Sequence, residues 1–197
     1  MQLNMIPDIW KTRSFNSLKP LGSYIKDLKS RLEFFNDWLY NGIPRVFWIN
    51  KFFFAHGFLT GARQNYARKY KIPIDVMDLD YSVVANQDAP APEDGIFVMG
   101  MYMEGFKWDT TTMMLTESDP KVLFTMCPMV HFIPLKAVDK NFSGIYETPL
   151  YLTMDRRGIL ATTGHSTNFV GYISLPSEKS QSHWRKRGAA LLCALND

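Results

Sequence analysis

Thr162 to Val170, TTGHSTNFV, gathers a glycine, a histidine, a serine and three threonines into one short stretch. Residues of these types can serve as a nucleophile with its base, as a phosphate cradle, or as a polar turn. A Ser/His hydrolase needs the hydroxyl within hydrogen-bond reach of the imidazole. Ser166 directly follows His165, and neighbouring residues of a strand point to opposite faces, which places the base badly. The order Gly164-His165-Ser166-Thr167-Asn168 also lacks the G-x-S-x-G elbow between strand and helix. A phosphate loop would read GxxxxGK[ST] or GxGxxG ahead of a helix, and neither pattern occurs. His56, His131, His165 and His183 are dispersed, Cys127 and Cys193 are isolated, and HExxH and CxxC are absent, so no metal site is indicated. No catalytic, cofactor-binding or metal-ligating residue is therefore assigned. The hydroxyls are expected to bond the backbone of their own turn and fix the register of a hairpin.

Two basic clusters remain, Arg63, Arg68, Lys69 and Lys71 in ARQNYARKYK and Arg185, Lys186 and Arg187 in HWRKRG. They suit the solvated C-terminal face of a helix, contact with an acidic protein surface, or nucleic acid. The net charge of +3, from 22 basic and 19 acidic residues, is too balanced for a dedicated nucleic-acid or membrane binder. The apolar runs are interrupted by Lys51, His56 or proline well short of a membrane span. Both cysteines sit in apolar surroundings, FTMCPMV and ALLCALND, as buried free thiols do. The alternative kept open is a free-standing small-molecule binder or hydrolase built around His165 and Ser166.

The elements that must position these residues fall into two textures. SLKPLGSYIKDLKSRLEFFNDWLYNG places Leu21, Tyr24, Ile25, Leu28, Leu32, Phe35 and Leu39 at helical spacing, with Lys26, Lys29, Glu33 and Asp37 opposite. Asn41-Gly42 supplies a stop, with Pro44 beyond. A second helix starts at Asn50 or near Ala55, runs to about Tyr70 and ends before Pro73. From Asp75 on, short β-rich runs alternate with turns: VMDLDYSVV, GIFVMGMYMEGF, KVLFTMCPMVHFI, YETPLYLTM, GILATT and NFVGYISL. Asp155 to Gly158 has the composition of a type I turn. A short helix finished by Gly188 then precedes a buried last strand, AALLCAL. The expected fold is α+β: a helical part, residues 1–74, followed by an antiparallel β-barrel, residues 75–197, with a short helix before the last strand.

Taken together, SLKPLGSYIKDLKSRLEFFNDWL, GIPRVFWINKFFFAHGFLTGARQNYARKYKIPID, PEDGIFVMGMYMEGFKWD, PKVLFTMCPMVHFIP, YETPLYLTMDRRGILATTGHSTNFV and HWRKRGAALLC resemble the C-terminal domain of dynein heavy chains. The TTGHSTNFV and PEDG patterns resemble the axonemal branch. The resemblance covers nearly the whole chain and implies helices followed by a barrel. It also implies a non-catalytic domain docked on the AAA+ ring of the same heavy chain, tuning an ATP-driven, minus-end-directed microtubule motor of the cilium or flagellum axoneme. ATP and magnesium would belong to AAA+ modules upstream, and other dynein chains and microtubules would be partners of the full-length protein. On this reading Arg63, Arg68, Lys69, Arg185, Lys186 and Arg187 are the candidate ring contacts. One block departs from the family pattern. Where Phe-Phe-Phe-Pro-Gln is usual, this chain has Phe52-Phe53-Phe54-Ala55-His56, which removes a helix-start signal and leaves the start of the second helix open between the two positions.

Overall fold

The computed structural model describes residues 6–11, 13–15, 17–136, 143–156 and 168–196. Four helices, α1 (Asp8–Lys11), α2 (Leu21–Asn41), α3 (Ala55–Tyr70) and α4 (Gln181–Lys186), frame eleven strands among the described residues. The strands are β1 (Val46–Trp48), β2 (Met77–Val83), β3 (Ile96–Met99), β4 (Tyr102–Glu104), β5 (Phe106–Asp109), β6 (Met114–Glu117), β7 (Phe124–Met126), β8 (Val130–Lys136), β9 (Ile145–Tyr151), β10 (Phe169–Pro176) and β11 (Ala190–Leu192).

Helix α2 begins after Pro20 without a side-chain cap. It stops at Gly42, whose positive φ of 90° lets its N–H reach the carbonyl of Trp38 at 3.1 Å. The second long helix starts at Ala55, the later of the two expected positions. Asn50 instead lies in a 3-10 turn, Ile49–Lys51. That helix ends where Lys71 turns left-handed, just before Pro73, because the residue preceding a proline is pushed out of the helical region.

The expected antiparallel barrel does not form: among the described residues no sheet closes. The strands make a four-stranded sheet in the order β1-β3-β8-β2, a five-stranded sheet in the order β10-β9-β11-β4-β7, and a β5-β6 hairpin. Two pairs, β1 with β3 and β9 with β11, are parallel. Two local features account for the difference. Gly100, at φ +85°, divides GIFVMGMYMEGF into β3 of one sheet and β4 of another, and the Asn50 side chain occupies the space where a Cβ at this position would stand. Pro128, lacking an N–H to donate, separates β7 from β8, which likewise belong to different sheets. The edge strands β2 and β10 face each other without a ladder. A cavity of about 300 Å³ lies in that seam, roofed by α3.

The core is continuous across the two larger sheets, with Val98, Met101, Phe132, Leu150 and Leu191 each buried. Strand β11, buried throughout, occupies a central place between β9 and β4. Helix α4 is fastened by Trp184, fully buried, whose Nε1 donates to Ser177 Oγ at 2.7 Å. Close by, Tyr146 donates its hydroxyl to the carbonyl of Ala189 at 2.8 Å.

Candidate functional site

The charged side chains singled out in the sequence are dispersed by the fold. Arg63 points from α3 into the seam cavity, together with His56, Thr60, Asp78, Tyr81 and Glu147. Its Nε is buried and has no hydrogen-bond partner among the described residues. The Tyr81 phenol in the same cavity has its pKa raised, first by burial and then by the Asp78 carboxylate. Arg68 and Lys69 leave the same helix on an exposed face. Lys69 Nζ donates to Asp94 Oδ1 at 2.7 Å, and Tyr70 donates its hydroxyl to Asp94 Oδ2 at 2.6 Å. These two hydrogen bonds hold the Asp94 carboxyl below its usual pKa, and the bond to Asp94 raises that of Lys69. On α4, Arg185 and Lys186 are exposed, while Arg187, just past the helix end, reaches Glu117 Oε2 at 3.3 Å. Lys69 and Arg187 thus already hold acidic partners within the chain.

The three described histidines occupy separate settings. His56 lines the seam cavity, the His131 ring nitrogen lies 2.7 Å from the Asp94 carbonyl, and His183 lies 3.2 Å from Glu117. His165 and Ser166, with the rest of 157–167, are outside the described residues. Among the described residues no three His, Cys, Asp or Glu side chains converge as metal ligands, and no helix is long and apolar enough to cross a membrane. Cys127 and Cys193 are buried and free, and burial pushes each thiol up to about 12.

Within the polar stretch TTGHSTNFV, Asn168 is described, and it is a clamp. It is buried, and its Oδ1 accepts from Thr153 N and Thr153 Oγ1, both at 3.1 Å. Its Nδ2 donates to the carbonyls of Thr153, at 3.1 Å, and Asp155. One amide therefore ties the end of β9 to the start of β10.

Two features of α2 escape a reading of its periodicity. The first is Arg31, a charged side chain seven residues from Tyr24 and so on the apolar arc of the helix, where it is 6% exposed. Its Nε donates to Asp27 Oδ2 at 2.9 Å, and it also donates to the Phe52 carbonyl at 2.8 Å. The guanidinium lies 4.2 Å from the Phe15 ring centre. The second is the fate of the apolar face. Phe34, Phe35 and Trp38 pack on Phe52, and that aromatic contact rotates the helix. Ile25, Leu32 and Leu39, seven residues apart and so on one stripe, are left 43%, 55% and 75% exposed, and Ile43 beyond them 80%. The signal was present in the sequence as two competing apolar arcs, one aromatic and one aliphatic.

These features describe an α+β module with a bare aliphatic row along its longest helix. The family model for the C-terminal domain of the dynein heavy chain matches residues 1–193, and the chain belongs to that family. It is 47% identical over 195 residues to dynein axonemal heavy chain 12 of Rattus norvegicus, covering 98% of this chain and 6% of that protein. It is 45% identical over 199 residues to dynein axonemal heavy chain 3 of Mus musculus, covering 100% and 5% respectively. Against dynein axonemal heavy chain 1 of Rattus norvegicus the identity is 44% over 196 residues, covering 98% and 4%. The chain spans only a few per cent of the length of these relatives.

Proposed function

We propose that this axonemal dynein C-terminal domain docks on the AAA+ ring of its own heavy chain. There it tunes an ATP-driven microtubule motor of the cilium or flagellum without performing catalysis itself. The helical part, 1–74, and the strand-rich part, 75–197, act there as one docking unit. The observation that carries the proposal is the aliphatic row Ile25, Leu32, Leu39 and Ile43. Exposed aliphatic side chains recurring every second turn of an outer helix, with the Lys29–Glu33 pair beside them, suit a surface that is covered in the assembled molecule. The relatives extend far beyond the part this chain matches, so a covering surface within the same polypeptide is the economical source. Arg68, Arg185 and Lys186 supply polar rim contacts, which steer and orient more than they bind. Lys69 and Arg187 act through the neighbours they already hold, and Arg63 acts from within the seam.

The test is Leu32→Asp with Leu39→Asp in the full heavy chain, read by ATPase rate and gliding velocity. Both side chains are exposed in this structure, so the double variant of the isolated chain should unfold at the wild-type temperature. In the heavy chain it should shift ATPase or velocity while nucleotide binding persists. Unchanged motility would sink the proposal.

A further inference from the structure

The cavity of about 300 Å³ in the seam between β2 and β10 takes its walls from both larger sheets. Its polar groups come from α3 (His56, Thr60 and Arg63), from β2 (Tyr81) and from β9 (Glu147). Leu59, Phe132 and Val170 add apolar surface. The volume is at the small end of ligand pockets. A further strand does not fit in the seam. Cα atoms of β2 and β10 come within 8 Å of each other, whereas an intervening strand needs roughly 9.5 Å, twice the spacing of neighbouring strands.

Two opposite charges face this cavity without meeting. Arg63 Nε is buried and has no hydrogen-bond partner, and neither the guanidinium nor the Glu147 carboxylate enters an ion pair among the described residues. A charged donor buried without an acceptor is unfavourable, and so is a carboxylate drawn from water without a donor. Asp78, the other acid in the wall, already accepts from Leu79 N at 2.8 Å. Its charge adds to that of Glu147, so a plain anion on Arg63 would be repelled by two carboxylates. A plain cation would leave Arg63 Nε unsatisfied. A ligand carrying both signs meets both requirements.

We propose that the seam cavity binds a small zwitterion of the α-amino-acid class. Its carboxylate lies on Arg63, whose planar fork matches that group, and its ammonium lies on Glu147. An aliphatic side chain packs against Leu59, Phe132 and Val170, and the Thr60 and Tyr81 hydroxyls offer further hydrogen bonds. Because the walls come from α3 and both sheets, the bound ligand bridges them and stabilises the folded chain. The proposal stands apart from the docking reading, since it needs neither the aliphatic row nor the exposed cations of α3 and α4.

The experiment titrates the 197-residue chain with leucine at pH 7, ionic strength held constant with sodium chloride, and reads backbone amide shifts and melting temperature. The expected result is saturable movement at Thr60, Arg63, Tyr81 and Glu147, with a melting temperature that rises as leucine is added. N-acetylleucine, which lacks the ammonium, and leucinamide, which lacks the carboxylate, should each bind about tenfold more weakly, the scale of losing one charge-assisted bond. Glu147→Gln, at a partly exposed position, should keep the fold, weaken leucine about tenfold and bring it level with N-acetylleucine. Arg63→Met should weaken leucine by a similar factor and bring it level with leucinamide. Shifts that do not saturate, blocked derivatives that bind as leucine does, or leucine binding that survives both substitutions would overturn the proposal.

Discussion

Arg31→Met tests how the long helix is held to the rest of the fold. Methionine preserves much of the volume between Phe15 and Phe53, whose rings lie 4.2 and 5.6 Å from the guanidinium, so packing changes little. What is lost is polar. Asp27, with its side chain 15% exposed, keeps a charge without its partner, and the Phe52 carbonyl loses a donor at 2.8 Å. Removing one member of a buried pair costs about 3–5 kcal/mol. At about 2–4 °C per kcal/mol for a chain of this size, the melting temperature should fall by about 6–20 °C. Asp27→Asn should cost less, about 1–3 kcal/mol, because Arg31 keeps its bond to the Phe52 carbonyl. The double variant Asp27→Asn with Arg31→Met removes both charges and should be more stable than the sum of single losses by about 1–3 kcal/mol. Urea unfolding of the wild type, the two single variants at these positions and the double variant supplies the cycle. A loss below about 1 kcal/mol for Arg31→Met, or strict additivity in the double variant, would refute the reasoning.

Asn168→Ala should cost about 3 kcal/mol, since it strips partners from Thr153 and Asp155 at a buried position. Asn168→Asp keeps the acceptor but turns a carboxylate toward two carbonyls, raising its pKa above the unfolded value. Its deficit should therefore shrink as pH falls from 7 toward 4, and a deficit independent of pH would contradict the clamp. Gly100→Ala should cost about 2 kcal/mol or more, because φ is +85° and the new Cβ would meet Asn50 Oδ1 at 2.5 Å. Adding Asn50→Ser should return part of that cost, and thermal melts of the two variants check it. The folded chain should leave both thiols unlabelled by a disulfide reagent at pH 8 and expose both in urea. Unfolded thiols ionise near pH ~8.5 whereas the folded ones resist to about 12, so the folded state binds more protons between these values and stability should decline as pH rises through that window. Labelling of the native protein at the rate of the urea-unfolded one would count against this.

Where one local rule decided the outcome, the sequence was a sound guide. Gly42 stops α2, Pro73 bounds α3, Gly188 closes α4, and β2, β9, β10 and β11 lie where alternation and burial place them. It was a poor guide where two rules compete. The run from Ile96 to Phe106 alternates like one strand, but Gly100 can kink, and only the Asn50 side chain, distant in sequence, makes the kink useful. Barrel closure depended on whether β2 and β10 would pair, a contact that local periodicity does not encode. Helix α2 carries more apolar surface than one face can hold, and the partner aromatics at Phe47 and Phe52 decide which arc is buried. The basic residues were visible, but Asp94 and Glu117, which hold Lys69 and Arg187, lie on other elements.

The central claim is that the aliphatic row of α2 is covered in the assembled heavy chain. Leu39→Cys places a single exposed thiol in that row, at a residue 75% exposed here, against two native thiols that are buried. The measurement is its maleimide labelling rate in the isolated domain and in the intact heavy chain. Docking predicts rapid labelling in the isolated domain and protection of about tenfold or more in the heavy chain, a coupling of about 1.4 kcal/mol at least. Equal rates in the two would contradict the account.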